Sequence, residues 1–327
     1  MRYIICGAGA IGGTIGARLF QQGQDVVLIA RGDHLAAIQQ KGITFRSPVE
    51  TESLPIPCVG HPSEIDFRPD DIVFMTVKTH QSQVALEALR DAAGDEIPVV
   101  CCQNSVANER MALRLFQHVY AMVVMLPASH LEPGVVQTEA VGITGILDAG
   151  CYPSGTDELI EGITRTLSNS NFSSQADPKV MRQKYAKLLN NLNNALDALT
   201  EARDEAQDIS RMLNREALAC YQAAGIDCAS REEVAKRRGN IVQTAPVSGQ
   251  PRGGSSSWQS VARGTGSIEA DYLNGEIVLL GRLHGVPTPA NLVLQRLANR
   301  LAKERGKTGS YSVDQVRRLI VEAGGVF

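Results

Sequence analysis

The first half of the chain alternates short apolar runs with amphipathic stretches. Tyr3 to Cys6, Asp25 to Ala30, Asp71 to Val77 and Pro98 to Cys102 read as strands. Ala10 to Gln22, His34 to Gln40, Gln81 to Ala93 and Asn108 to Phe116 carry helical periodicity between or after them. Such alternation predicts βαβ units on a mostly parallel sheet. Val119 to Leu126 continues the strand pattern, and Gly134 to Ile146, rich in Val, Thr and Ile, is expected to add strands that close the sheet. From about Pro178 the texture changes to long helical periodicities: Val180 to Ala202, Glu205 to Ala224, Arg231 to Lys236, Ile268 to Leu283, Pro289 to Glu304 and Val313 to Ala323. The expected architecture is therefore an α/β domain over residues 1–175 and an all-α domain over 176–327, with Pro246 to Ser257 as a loop rich in Pro, Gly and Ser.

Composition supports this division. A chain of 327 residues, 43% of them hydrophobic, suits two domains with separate cores and excludes a disordered protein. The 32 Lys+Arg against 35 Asp+Glu leave a net charge of −3, without the basic excess that marks a nucleic-acid or anionic-membrane partner. Lys236-Arg237-Arg238 and Lys303 to Lys307 are too short to change that. No uncharged apolar run reaches the ~18 residues needed to span a bilayer. Seven scattered cysteines, with no C-x-x-C pair and no His at ligand spacing, point to buried thiols in a reducing cytoplasm and to no metal site. The start at Met1-Arg2 is glycine-patterned and runs into a second strand, which reads as a first strand and not as a signal peptide. The six histidines are assigned no catalytic role; His80 alone lies near the expected site, as a structural group.

Gly7-Ala8-Gly9-Ala10-Ile11-Gly12 is a G-x-G-x-x-G run placed directly between a strand and a helix. The first glycine permits the tight turn, the second lets the backbone approach a pyrophosphate, and the third lets helix pack on strand, with phosphate charge at the helix N-terminus. The second strand ends in Arg31, which suits the 2′-phosphate of NADP(H); Asp33, a competing acid for the hydroxyls of NAD, lies beyond the strand end where it caps the next helix.

In Val180 to Ala202, Tyr185, Leu188, Leu189, Leu192, Leu196 and Leu199 share one face while Lys187, Asn191 and Asn194 share the opposite one. The four asparagines, Asn190, Asn191, Asn193 and Asn194, each cost a helix about 0.5 kcal/mol relative to Ala, so a merely solvated face is a poor explanation for them. One Lys with amides one and two turns on suits a small oxygen-rich anion. Ser255-Ser256-Ser257-Trp258-Gln259 and Glu269 follow; alone, Glu269 reads as a charge favouring a helix N-terminus.

Taken in order, these residues resemble the ketopantoate reductase (2-dehydropantoate 2-reductase) family, within the 6-phosphogluconate-dehydrogenase-like proteins. The landmarks are Gly7-x-Gly9-x-x-Gly12, Arg31, Val77-Lys78, Gln103-Asn104, Tyr185-x-Lys187-Leu188 with Asn191 and Asn194, Ser-Ser-x-Trp-Gln, and Glu269-x-Asp271-Tyr272-x-Asn274-Gly275. The resemblance implies a Rossmann domain, a helical domain, an active site in the cleft between them, and NADPH-dependent reduction of a 2-oxo acid in pantothenate biosynthesis. It implies that Lys187 is the general acid and that Glu269 binds the substrate hydroxyl beside the cofactor ribose. By the same resemblance Asn191, Asn194 and Ser256 hold the substrate, Asn104 meets cofactor and substrate, Lys78 lies near the nicotinamide, and Arg31 holds the 2′-phosphate.

Departures from the family pattern cluster around the substrate. Ser105 stands where Gln-Asn-Gly is frequent, and Ser260 stands where an acid often follows Ser-Ser-x-x-Gln. The second amide falls at i+7 from Lys187, with Ala195 at i+8, and Asp197 to Glu205 contains no Asn. A reductase of another 2-oxo or 3-hydroxy acid, and a non-catalytic NADPH-binding sensor, remain the alternatives. A homodimer is compatible with the helical half, and the tail from Gly306 to Phe327 is expected either to fold onto the body or to serve an interface.

Overall fold

The computed structural model describes residues 1–247 and 253–327, so the middle of the Pro246–Ser257 loop, residues 248–252, lies outside the described residues. The chain forms two compact units. The first holds Met1–Lys184 and a return segment beginning at Arg231; the second holds Tyr185–Ser230 and Gly253–Phe327.

In the first unit, a seven-stranded sheet runs in the order Ala149–Cys151, Val119–Met122, Val99–Cys101, Asp71–Met75, Arg2–Cys6, Asp25–Ile29, Cys58–Val59. Every neighbouring pair is parallel except the edge pair of Ala149–Cys151 with Val119–Met122. Arg2–Cys6 and Asp71–Met75 are buried at each position, as expected of central parallel strands covered on both faces. Their alternate side chains divide between two cores. Tyr3, Ile5 and Phe74 pack with Ile15 and Leu19 of helix Ala10–Gln21, whereas Ile4, Cys6, Val73 and Met75 pack with Leu86 and Leu89 of helix Ser82–Ala93. The chain leaves Arg2–Cys6 towards Asp25–Ile29 on one side and later returns to Asp71–Met75 on the other. The end of Arg2–Cys6 is therefore the switch point at which open α/β sheets bind ligands.

The Gly134 to Ile146 strands do not close this sheet. Val135–Thr138 joins Ile43–Arg46, Thr51–Leu54 and Ala128–Ser129 in a separate four-stranded sheet, Ala140–Val141 pairs with Gln243–Thr244, and Gly145–Ile146 pairs with Phe172–Ser173. The burial of Val135–Thr138 alternates along the strand, which suits a sheet covered on one face and not the doubly covered main sheet.

The return segment also differs from the sequence reading, which placed everything after residue 175 in the helical half. Arg237, on helix Arg231–Arg238, pairs bidentately with Asp148, with Nε to Oδ2 at 2.6 Å and Nη2 to Oδ1 at 2.6 Å. Arg182 pairs with Glu233 at 2.8 Å. These ion pairs and the Gln243–Thr244 strand hold the segment to the first unit, and the units part between Lys184 and Tyr185, later than the 175/176 division.

The described residues of the second unit are helical, with no strand among them. The Val180 to Ala202 periodicity becomes two helices, Val180–Asn191 and Asn193–Thr200, interrupted at Leu192. Asn274 Nδ2 donates to the Leu192 carbonyl (3.1 Å) and to Asn291 Oδ1 (3.0 Å). Asn291 in turn donates to Glu216, whose carboxylate also accepts the backbone N–H groups of Ala290 and Asn291 at the start of helix Pro289–Lys303. The relay gives buried polar groups partners around the interruption, as a core requires. The tail folds onto this unit: Ser312 and Gln315 form a capping box, Val316 and Ile320 are buried, and Gly309 and Tyr311 donate to the carbonyls of Ala198 and Leu199. All seven cysteines are free, no described helix is long and apolar enough to cross a membrane, and no metal-ligating cluster occurs among the described residues.

Candidate active site

Gly7 has φ +111°, and a Cβ there would lie 2.8 Å from the Val77 nitrogen. A Cβ on Gly12 would collide with the Gly7 carbonyl, the Thr76 hydroxyl and Ile5. Gly9 differs: apart from its own chain neighbours, no atom of the described residues lies within 4 Å of where its Cβ would be, so the backbone there faces open space at the start of a helix with no acidic residue in its first turn. That is the combination a phosphate needs. Two side chains steady the loop. Thr76 Oγ1 lies 2.8 Å from the Gly7 carbonyl. His34 Nδ1 accepts from the Gly134 amide (2.8 Å), so its proton sits on Nε2 and is donated to the Ala8 carbonyl (2.7 Å). Sequence reasoning missed His34, because the pairing joins residues 100 apart in the chain.

Arg31 is exposed and extended at the end of the second strand, immediately before helix Gly32–Lys41. Asp33 lies inside the first turn of that helix, where a carboxylate favours the dipole. Lys78 and Asn104 are half-buried on the loops after the third and fourth main-sheet strands of the sequence reading. The structure ties those loops together. Gln103 Nε2 donates to Ser82 Oγ (3.0 Å), Ser82 Oγ donates to Asn108 Oδ1 (2.8 Å), and Asn108 Nδ2 donates to Thr79 Oγ1 (3.2 Å). Ser105 is buried and its hydroxyl accepts from the Ala107 amide, so the departure from glycine adds a loop-closing bond.

In the second unit, Lys187 and Asn191 stand one turn apart on helix Val180–Asn191, and Asn194 follows the interruption. This stripe is not a solvated face. Lys187 and Asn194 are half-buried, Asn191 is 9% exposed, and Asn191 Nδ2 is buried with no hydrogen-bond partner among the described residues. Asn194 Nδ2 lies 3.4 Å from Ser256 Oγ, which brings these two together. Ser255 caps helix Ser256–Ala262 by accepting from the Trp258 amide, and donates its own N–H to Asp197 Oδ2 at 2.7 Å. Trp258 lies over Gly254, where a Cβ would be 2.5 Å from the indole, and its Nε1 donates to Glu201 (2.8 Å). Asp197 and Trp258 thus set the Ser256 position, a function no spacing in the sequence signals. Ser260 spends its hydroxyl on the Ser256 carbonyl. Glu269 is buried at the start of the turn Glu269–Tyr272. The sequence-derived residues therefore fall into two sets: Gly7 to Gly12, Arg31, Lys78 and Asn104 on the first unit, and Lys187, Asn191, Asn194, Ser256 and Glu269 on the second.

Residues 3–152 match the profile of the ketopantoate reductase PanE/ApbA family, and residues 179–302 match its C-terminal profile. The 2-dehydropantoate 2-reductase of Pyrococcus horikoshii is 28% identical over 319 residues, covering 95% of this chain and 100% of its own. Among solved structures, a PanE/ApbA family ketopantoate reductase from Ralstonia eutropha JMP134 superposes with TM-score 0.78 at 28% identity, covering 93% of this chain and 99% of its own. A D-mandelate dehydrogenase in ternary complex with NADH and anilino(oxo)acetate shares the fold, with TM-score 0.80 at 22% identity over 93% of this chain and 99% of its own. This chain belongs to the ketopantoate reductase PanE/ApbA family and is an oxidoreductase acting on CH–OH donors.

Proposed function

We propose that the protein reduces a 2-oxo acid to the 2-hydroxy acid with NADPH, with 2-dehydropantoate as the first substrate and Lys187 as the general acid. The observation that carries the reading is the pairing of Lys187 with Asn191 one turn on, whose buried Nδ2 has no hydrogen-bond partner among the described residues. A buried donor left unpaired is costly unless a ligand accepts from it, and a carboxylate or hydroxyl of the substrate does so here. The open space before Gly9, the unopposed helix N-terminus and the exposed Arg31 fit a dinucleotide with a 2′-phosphate. When bound, the dinucleotide supplies the hydride for the carbonyl carbon. Lys187 donates the proton to the ketone oxygen and its charge stabilises the developing alkoxide. Asn191, Asn194 and Ser256 orient the carboxylate and hydroxyl groups, and Glu269 accepts from the substrate hydroxyl. Asn104 meets both ligands, and Lys78 lies at the nicotinamide end. Seven free thiols support the cytoplasm as the working compartment.

The test is dinucleotide oxidation by the purified protein against a panel of 2-oxo acids that includes 2-dehydropantoate and a bulky aromatic member. NADPH and NADH are compared in the parent and in Arg31→Ala. The expected result is turnover fastest with 2-dehydropantoate, and an NADPH preference that falls ten- to a hundredfold in Arg31→Ala, the scale of a lost charge-assisted contact. Equal use of both dinucleotides by the parent overturns the cofactor assignment. Tight dinucleotide binding without turnover of any oxo acid favours a sensor.

A further inference from the structure

Lys184 and Glu109 form an ion pair at 2.5 Å with side chains 2% and 0% exposed. Taking both charges out of water is costly, and a well-packed apolar pair of similar volume often holds a core as well or better. Cohesion alone therefore does not account for the pair. Its other contacts do. The Lys184 ammonium lies 3.0 Å from the Gln103 carbonyl and 3.4 Å from the Cys101 carbonyl, at the end of strand Val99–Cys101 and just before Asn104. Glu109 stands in the first turn of helix Asn108–Leu113, where the same loop ends. One ammonium thus holds the loop at its entry and, through Glu109, at its exit. An apolar side chain at 184 fills the volume but offers those carbonyls no donor.

We propose that Lys184 is a positioning residue for the reaction: paired with Glu109, it fixes the Gln103-Asn104-Ser105 turn and through it the amide of Asn104. The proposal rests on the reading of Asn104 as a cofactor and substrate contact. Gln103, Ser82, Asn108 and Thr79 hold the side-chain side of the turn, and Lys184 holds its carbonyl side. The ammonium touches no reacting atom; it acts through Asn104.

Lys184→Met alone strands a buried carboxylate and can fail to fold, so the deciding protein is Lys184→Met/Glu109→Leu, which removes both charges together. Its melting temperature, amide hydrogen exchange across residues 101–108, dinucleotide affinity and kcat/KM are compared with the parent. We expect a melting temperature close to the parent's, exchange in the 102–105 amides at least tenfold faster, and kcat/KM down about ten- to a hundredfold, because misplacing a reacting group by about 1 Å costs up to about that much. Parent-like exchange, or faster exchange with parent-like kcat/KM, overturns the proposal. If the parent itself reduces no 2-oxo acid, the reading of function fails separately. Exchange together with dinucleotide affinity then decides the positioning role, and unchanged values of both reject it.

Discussion

On the function proposed above, the two units prepare their ligand groups by opposite means. In the first, the ligand-facing features are backbone: a turn that needs positive φ at Gly7, open space at Gly9, a helix N-terminus and two strand-end loops cross-linked beneath the surface. In the second, the proposed ligand groups are side chains on helices, Lys187, Asn191, Asn194 and Ser256; Asp197 and Trp258 hold the Ser256 end, and the buried relay lies at the Leu192 interruption. The first unit is consequently sensitive to added atoms and the second to removed ones. Substitutions of each kind test whether that contrast is real.

The largest expected effect is on the second unit. Lys187→Ala should lower kcat by about 10²- to 10⁴-fold, the usual contribution of a placed general acid, while dinucleotide affinity measured by fluorescence titration stays at the parent's value. Undiminished kcat would sink the assignment of Lys187. A large loss of dinucleotide affinity would break the contrast, since the deletion would then be felt on the wrong unit.

Adding atoms to the first unit comes next. Gly12→Ala forces a Cβ into the Gly7 carbonyl and Thr76, neither of which is a flexible side-chain end, and should destabilise by about 1–3 kcal/mol with loss of dinucleotide binding. Gly9→Ala meets no atom of the described residues beyond its own chain neighbours, so its melting temperature should stay within a degree or two while dinucleotide affinity falls about tenfold or more. Equal thermal losses in the two variants would show that the glycines serve the turn and not the ligand.

An effect of comparable size, read in the substrate KM, is expected from Asn191→Ala. Removing one donor to a charged acceptor costs about 1.5–3 kcal/mol, so KM for the 2-oxo acid should rise about ten- to a hundredfold with little change in KM for the dinucleotide. A rise confined to the dinucleotide would move Asn191 from the substrate set to the cofactor set.

What was legible in the sequence follows the same contrast. The glycine loop, the strand-helix alternation and the end of the second strand are local, so periodicity and spacing reveal them. Helix Glu158–Asn169 carries signals of the same local kind, with Asp157 accepting from the Ile160 amide and Ile160, Ile163, Thr164 and Leu167 on one face. Other features depend on partners far apart in the chain. Arg237 belongs to the first unit because of Asp148, Leu192 interrupts a helix beside Asn274, and Asn191 is buried although its stripe reads as polar. No window of sequence contains both members of such a pair.

The weakest expected effect concerns the tail, which belongs to the second unit. Arg317 pairs with Asp208 at 2.8 Å and also with Asp314, and the Arg317 guanidinium holds the Asp208 carboxyl below its ordinary range. A carboxylate depressed on folding contributes stability that is fully present above its unfolded pKa and is lost as pH falls through the folded one. Burial pushes Glu216 the other way, so its contribution is fully present below the ordinary carboxylate range and declines as pH rises through the raised value. Arg317 and Asp208 are 34% and 30% exposed, so solvent screening limits their pair to about 0.5–1 kcal/mol. Arg317→Ala should therefore melt about 1–3 °C lower at neutral pH, with the difference shrinking once acid has protonated Asp208 in both proteins. A pH-independent difference would mean that the guanidinium acts by packing and by its bond to the Glu205 carbonyl instead of by charge. Because the contact lies wholly within the second unit, dinucleotide affinity should not follow the melting temperature. If it does, the two units are coupled more tightly than their separate constructions imply.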